Sequence, residues 1–231
     1  MILFSRYLLI ALLAGPALAH SRGETSLENP QTPDSLIAKG LRQALEVGVA
    51  NTAKKLSATN GYYGNAAIRI LLPPEALQME NTLRRLGMGP QIDQAVLAMN
   101  RAAEQAAATA GPIFLGAIRQ MKIQDAVQIL NGGNHAATDY LQKTTTAPLT
   151  RAYHPVIDSC LKKTEFTKYW SQLVNAYDRI PFTHRVNPDL SAYVTGKALD
   201  GLFFNIGLEE QKIRQDPAAQ VTSLLKSVFG H

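Results

Sequence analysis

Apolar residues recur at helical spacing in one stretch after another, and almost every stretch ends at a glycine, a proline or an Asn/Asp cap. Leu41, Leu45, Val49, Ala53 and Leu56 form the first stripe, behind a cap at Asp34 or Ser35. Ala76, Met79, Leu83 and Leu86 form the second, which stops at Gly87. Pro90 opens a third with Ile92, Val96, Met99, Ala103 and Ala106 inward; its alanine-rich second half permits close helix–helix approach, and Gly111-Pro112 breaks it. Ile113, Ala117, Ile118 and Met121 continue, and Ile123, Ala126, Val127 and Leu130 follow the i, i+3, i+4, i+7 pattern. Asn131-Gly132-Gly133 stops that helix, and Asn134 caps another running through Leu141.

The spacing predicts a kinked helix over Pro148–Leu161, because Leu149, Tyr153, Val156 and Cys160 keep one register across Pro155. Phe166, Trp170, Leu173, Val174 and Tyr177 mark the next helix, which Pro181 ends. Asn187-Pro188 then starts the longest helix, to about Gln215. Asp216-Pro217 opens a last one, with Val221, Leu224, Leu225 and Val228 inward. The expected fold is all-α: a single compact bundle of about nine or ten helices around one long central C-terminal helix. Ala66–Leu72, with Ile68 and Ile70, is the one strand-like stretch. It has no convincing partner strand and is expected to lie extended along helices.

The N-terminus reads as a cleavable secretory signal. Arg6 supplies a basic start, Tyr7–Ala14 an apolar run, and Ala17-Leu18-Ala19 a small-residue cleavage site. The run is too short to span a bilayer, which needs about 20 apolar residues. The expected organisation is residues 1–19 as signal peptide, 20–33 as a polar, flexible leader, and 34–231 as one helical domain in the periplasm, with no integral membrane segment in the mature chain. Cys160 is the only cysteine, so no intramolecular disulfide forms and stability must come from packing. The formal net charge is +5, and the basic residues are scattered in pairs such as Lys54-Lys55 and Arg84-Arg85. That pattern suits solvated helix faces, and without a basic–aromatic cluster it argues against nucleic acid as a partner.

Chemistry-bearing residues concentrate on the long helix. From Ala198 to Leu208 it is apolar around most of its circumference, as a helix buried on all sides would be. Asp200 lies inside that stretch and is expected to need a buried partner, such as Lys197 one turn earlier. At 100° per residue Gly196, Asp200, Phe203 and Gly207 share a face. Glu210 and Arg214 are spaced i, i+4, which is usually a surface or hinge pair, and Arg101 and Glu104 are spaced i, i+3. If both pairs meet Lys197 and Asp200, they build one buried ionic network. The candidate ligand-binding set is therefore Lys197, Asp200, Phe203, Arg101, Glu104, Glu210 and Arg214. No catalytic residue is assigned. His154 and Asp158 share the i, i+4 spacing of metal ligands, but no His cluster or paired Cys supports them, and no metal or cofactor is expected. Cys160 lies on the expected buried stripe, away from His154, as a structural thiol would. Neither a nucleophile elbow nor a phosphate loop occurs.

Several runs together carry a resemblance. They are Thr82–Gly87, Asn100–Glu104, Ile129–Gly133 with Ala136-Ala137-Thr138, Lys197–Phe203, Glu209-Glu210, Ile213–Pro217 and Val228–Gly230. From about Leu36 to Gly230 the chain resembles an exported family of Gram-negative bacteria catalogued as domain of unknown function 4197. The resemblance implies a secreted helical domain and brings no catalytic residue to carry over. The expected role is a non-catalytic periplasmic binding protein for an apolar or amphiphilic small molecule, or for an envelope protein. The alternatives are an acid–base hydrolase using Asp200 with a second carboxylate, Glu104 or Glu210, and a structural or assembly protein of the envelope.

Overall fold

A computed structural model describes residues 33–163, 166–180 and 190–215. The signal peptide, the leader up to residue 32, the cap at Asn187-Pro188 and the last predicted helix lie outside the described residues. Among the described residues eight α-helices run in order: α1 (Pro33–Ser57), α2 (Leu77–Arg85), α3 (Gly89–Ala107), α4 (Ala110–Gln120), α5 (Ile123–Leu130), α6 (Ala136–Lys163), α7 (Phe166–Asp178) and α8 (Ser191–Gln215), with a 3₁₀ turn at Pro74–Ala76 before α2. No strand occurs among the described residues. All eight helices contribute to one hydrophobic core. No described helix is long and apolar enough to cross a membrane.

The expected punctuation holds in part: α1 already begins at Pro33, ahead of the expected caps, and Gly111-Pro112 lie in the first turn of α4, so that the break after α3 falls at Ala108-Thr109. Gly87 takes φ +82°, a conformation that suits glycine, and lets the Met88 N–H reach back to the Leu83 carbonyl at 2.9 Å. At the start of α5 the Asp125 carboxylate reaches back to the Lys122 N–H at 3.0 Å. Arg42 on α1 donates to the Met121 carbonyl, at the end of α4.

Two expectations need correction at α6. Asn134–Leu141 and Pro148–Leu161 were expected as separate helices, yet they form one helix of 28 residues containing Pro148 and Pro155. It is therefore longer than α8, which has 25. Leu141, Thr145, Leu149, Tyr153, Ile157 and Leu161 are buried every fourth residue along its length. That continuous packing stripe outweighs the carbonyl partner lost at each proline. It also turns the last two turns relative to the expected face. Ile157 and Leu161 point inward, whereas Val156 and Cys160 are only half-buried. The Cys160 thiol donates to Gln105 Oε1 at 2.7 Å, and burial pushes its pKa up, which suits an inert thiol.

The packing of α8 is against α1, α3 and α6, through Val194, Ala198, Leu202, Phe203 and Ile206. Each of these side chains except Ala198 contributes about 1.5–3 kcal/mol on burial. The Phe203 ring meets Phe114 of α4 edge-on, with centroids 6.1 Å apart.

Candidate functional site

The Ala66–Leu72 stretch, expected to be extended throughout, begins as a turn in which the Ile68 and Arg69 N–H groups donate to the Asn65 carbonyl at 3.1 and 2.8 Å; the part that follows lies along α3 and α8, paired by side chains instead of by a strand. Asn100 on α3 is fully buried. Its Oδ1 accepts the Ile70 N–H at 2.9 Å, and its Nδ2 donates to the Ile70 carbonyl at 2.8 Å. One asparagine thus satisfies both backbone groups of Ile70, as a neighbouring strand would. One turn later Glu104 Oε1 accepts the N–H groups of Tyr62 and Tyr63, both at 3.2 Å. The buried Tyr62 hydroxyl donates to the Ala198 carbonyl of α8 at 2.7 Å. Gly201 allows this approach: a Cβ there would sit 2.8 Å from Tyr62 Cε1.

A cleft of about 340 Å³ opens where this strap meets α2, α3 and α8. Its apolar wall carries Leu71 and Leu77, which are 58% and 51% exposed. Tyr63 and Tyr193 border it, and the Tyr193 hydroxyl donates to the Leu71 carbonyl at 3.1 Å. Three cations reach it. Arg84 is held by Glu80 at 2.9 Å and Asp93 at 2.8 Å, so its charge is matched inside the cleft. Lys197 shares a 3.0 Å ion pair with Asp200. Arg69 is different: its Nε donates to the Tyr63 carbonyl at 2.6 Å and its guanidinium lies 4.8 Å from the Tyr63 ring centroid. Among the described residues no carboxylate pairs with Arg69. The stacked and tethered guanidinium keeps its terminal nitrogens for an incoming acceptor.

Six of the seven residues expected to form one site divide among three places, and the seventh, Phe203, lies in the core against Phe114. Lys197 lines the cleft. Its partner Asp200, expected to be buried, has a side chain 67% exposed and pairs with Lys197 in solvent. The correction has a simple cause. A helix apolar around most of its surface hides which arc is covered, and the uncovered arc of α8 also carries Phe204 and Leu208, 46% and 44% exposed. Phe203 and Gly207 are buried while Gly196 and Asp200 are not, so the expected shared face is split.

Arg101 and Glu104 form the second place. Arg101 Nη1 donates to Glu104 Oε2 at 2.6 Å, and Nη2 reaches Asn60 at 2.9 Å, so the pair fastens the Tyr62–Tyr63 turn to α3.

Glu210 and Arg214 form the third: Glu210 is buried and Arg214 half-buried, so they are not a surface pair. Glu210 accepts the N–H groups of Ala137 and Thr138 at 3.0 and 2.8 Å and the Thr138 hydroxyl at 2.7 Å, at the start of α6. Arg214 Nε donates back to Glu210 at 3.0 Å, and its Nη2 donates to the Ile129 carbonyl at 2.8 Å, near the end of α5. An acid thus caps one helix start and a base the preceding helix end, each in the favourable sense of the helix dipole. Gly207 makes room for this turn, since a Cβ there would lie 3.2 Å from His135. No ion pair among the described residues joins these three places, so the expected single network does not form. No group of three or more metal-ligating side chains occurs among the described residues. Asp158 instead pairs with Lys162 and accepts from Ser191, and these bonds hold its carboxyl below the usual range.

The sequence reading did not single out Arg69, Tyr63 or Tyr193. The available signal was a Tyr-Tyr pair and an arginine inside a Gly/Asn-bounded connection, where binding residues often sit.

These features define a helical protein with an open cleft walled by arginine, tyrosine and leucine. The chain belongs to the family described as protein of unknown function DUF4197, whose model matches residues 31–230. Comparison with curated proteins and with solved structures found no match.

Proposed function

We propose that this is a non-catalytic binding protein of the bacterial cell envelope, and that its cleft takes a small amphiphile with an anionic head. The observation that carries the reading is Arg69, a fixed guanidinium without an acidic partner among the described residues, set beside the exposed Leu71 and Leu77. The head group pairs with Arg69, while Arg84 and Lys197, also on the cleft, already hold acidic partners. The apolar part covers Leu71 and Leu77. The envelope setting rests on the signal-like N-terminus, with export and cleavage after Ala19 as part of the proposal.

Calorimetric titration with decanoate and with decyltrimethylammonium tests this reading. Saturable binding of the anion, weakened about tenfold in R69M and absent for the cation, is the expected result. Equal binding of both probes, or none, overturns it. The hydrolase alternative has less support. Asp200 faces solvent, and Glu104 and Glu210 each spend their oxygens on backbone amides and an arginine. An assembly role draws support from Phe204 and Leu208, exposed one turn apart on α8.

A further inference from the structure

The strap that walls the cleft offers backbone groups as well as a cation. In extended chain, neighbouring residues turn their N–H and C=O groups to opposite sides. Both groups of Ile70 face Asn100. Those of Leu71 therefore face the other way, and the Leu71 carbonyl does meet the hydroxyl of Tyr193, a cleft residue. The Leu71 N–H and the Arg69 carbonyl belong to that same edge, and neither has a hydrogen-bond partner among the described residues. A fatty chain has nothing to offer such an edge. A peptide main chain does.

We propose that the cleft binds the free carboxyl-terminal end of an extended peptide whose last side chain is apolar. This deepens the proposed function and rests on it. The terminal carboxylate pairs with the Arg69 guanidinium. A carbonyl of the peptide accepts the Leu71 N–H, and a peptide N–H donates to the Arg69 carbonyl, adding one short strand to the strap. The last side chain lies against Leu71 and Leu77. A volume of about 340 Å³ is near the lower end for ligand pockets, so only the last few residues are held. The recognition is thus of a chain end, not of an internal segment.

The test uses fluorescence anisotropy of an N-terminally labelled Ala-Ala-Val-Leu peptide on the full chain. Three forms are compared: the free acid, the C-terminal amide, and the acid N-methylated at each backbone amide in turn. Decanoate serves as competitor. The free acid is expected to bind, the amide to lose about tenfold or more, and one N-methyl position to lose as much, because each change strands a polar group of the site. Decanoate displaces the free acid. If decanoate binds in an Arg69-dependent way while the peptide acid does not, or if amide and N-methyl forms equal the acid, the peptide inference fails and the amphiphile reading survives. If neither peptide nor decanoate binds, both fail.

Discussion

Replacing Glu210 tests whether a buried ion pair on α8 splices α5 to α6. Its carboxylate takes two backbone N–H groups and one hydroxyl from the first turn of α6, and it is the acid partner of Arg214, whose side chain is only 13% exposed. In E210A those donors and the buried guanidinium lose their acceptor together. Breaking a buried pair from one side costs about 3–5 kcal/mol. E210Q keeps one acceptor oxygen but turns an NH₂ group toward donors, which leaves at least one buried N–H unpaired at about 1–3 kcal/mol, besides the lost charge attraction. The informative variant is the double change E210L/R214M. An isolated buried ion pair replaced by apolar groups of similar volume is close to neutral. Here the Ala137 and Thr138 amides and the Ile129 carbonyl lose their caps as well, so the double variant should stay about 2–4 kcal/mol below the wild type. Urea denaturation followed by far-UV circular dichroism reads these differences, which are large against a typical total of about 5–15 kcal/mol. E210Q within about 0.5 kcal/mol of wild type, or full recovery in the double variant, refutes the capping argument.

Two glycines of α8 should respond oppositely to alanine. G201A places a methyl 2.8 Å from Tyr62 and 3.2 Å from Ile68 and should destabilise by about 1–3 kcal/mol, whereas G196A meets nothing within 4 Å and should stabilise by about 0.5–1 kcal/mol, both by urea titration. Burial holds the phenols of Tyr62 and Tyr153 neutral well above their ordinary value of 10.0. Their contribution is whole below pH 10 and lost above it, because only the unfolded chain ionises there, so stability should fall by about 1.4 kcal/mol per pH unit for each. Y153F should remove one such increment from the alkaline slope; an unchanged slope would contradict the assignment. N100A removes both bonds to Ile70 and should speed limited proteolysis between Ala66 and Leu72; an unchanged cleavage pattern would show that the strap is held by other means.

Helix positions were legible because glycine, proline and caps punctuate stripes of helical period, as at Gly87 and Asn131-Gly132-Gly133. Of the Ala66–Leu72 stretch only the second half, before the double proline, is extended, because Ile68 and Arg69 turn back to the Asn65 carbonyl; its partner was not legible, since a single asparagine on α3 replaces a strand. The continuity of α6 was hidden because local proline chemistry argues for a break, and only the buried face from Leu141 to Leu161 overrides it. Buried charge was expected at Asp200 and occurs at Glu104 and Glu210 instead. Local spacing showed that each of these acids had a basic neighbour, but which arc of the helix the bundle covers is a tertiary fact. The cleft escaped notice for the same reason: Tyr63 and Arg69 come from the strap, Arg84 from α2 and Tyr193 from α8, and no local pattern links them.

Chemical-shift mapping of ¹⁵N-labelled protein during titration with decanoate tests the cleft assignment most directly. Saturable shifts concentrated at Tyr63, Arg69–Leu72 and Tyr193, and lost in R69M, are the expected result. Shifts centred on Phe204 and Leu208, or the same pattern persisting without the Arg69 guanidinium, would contradict it.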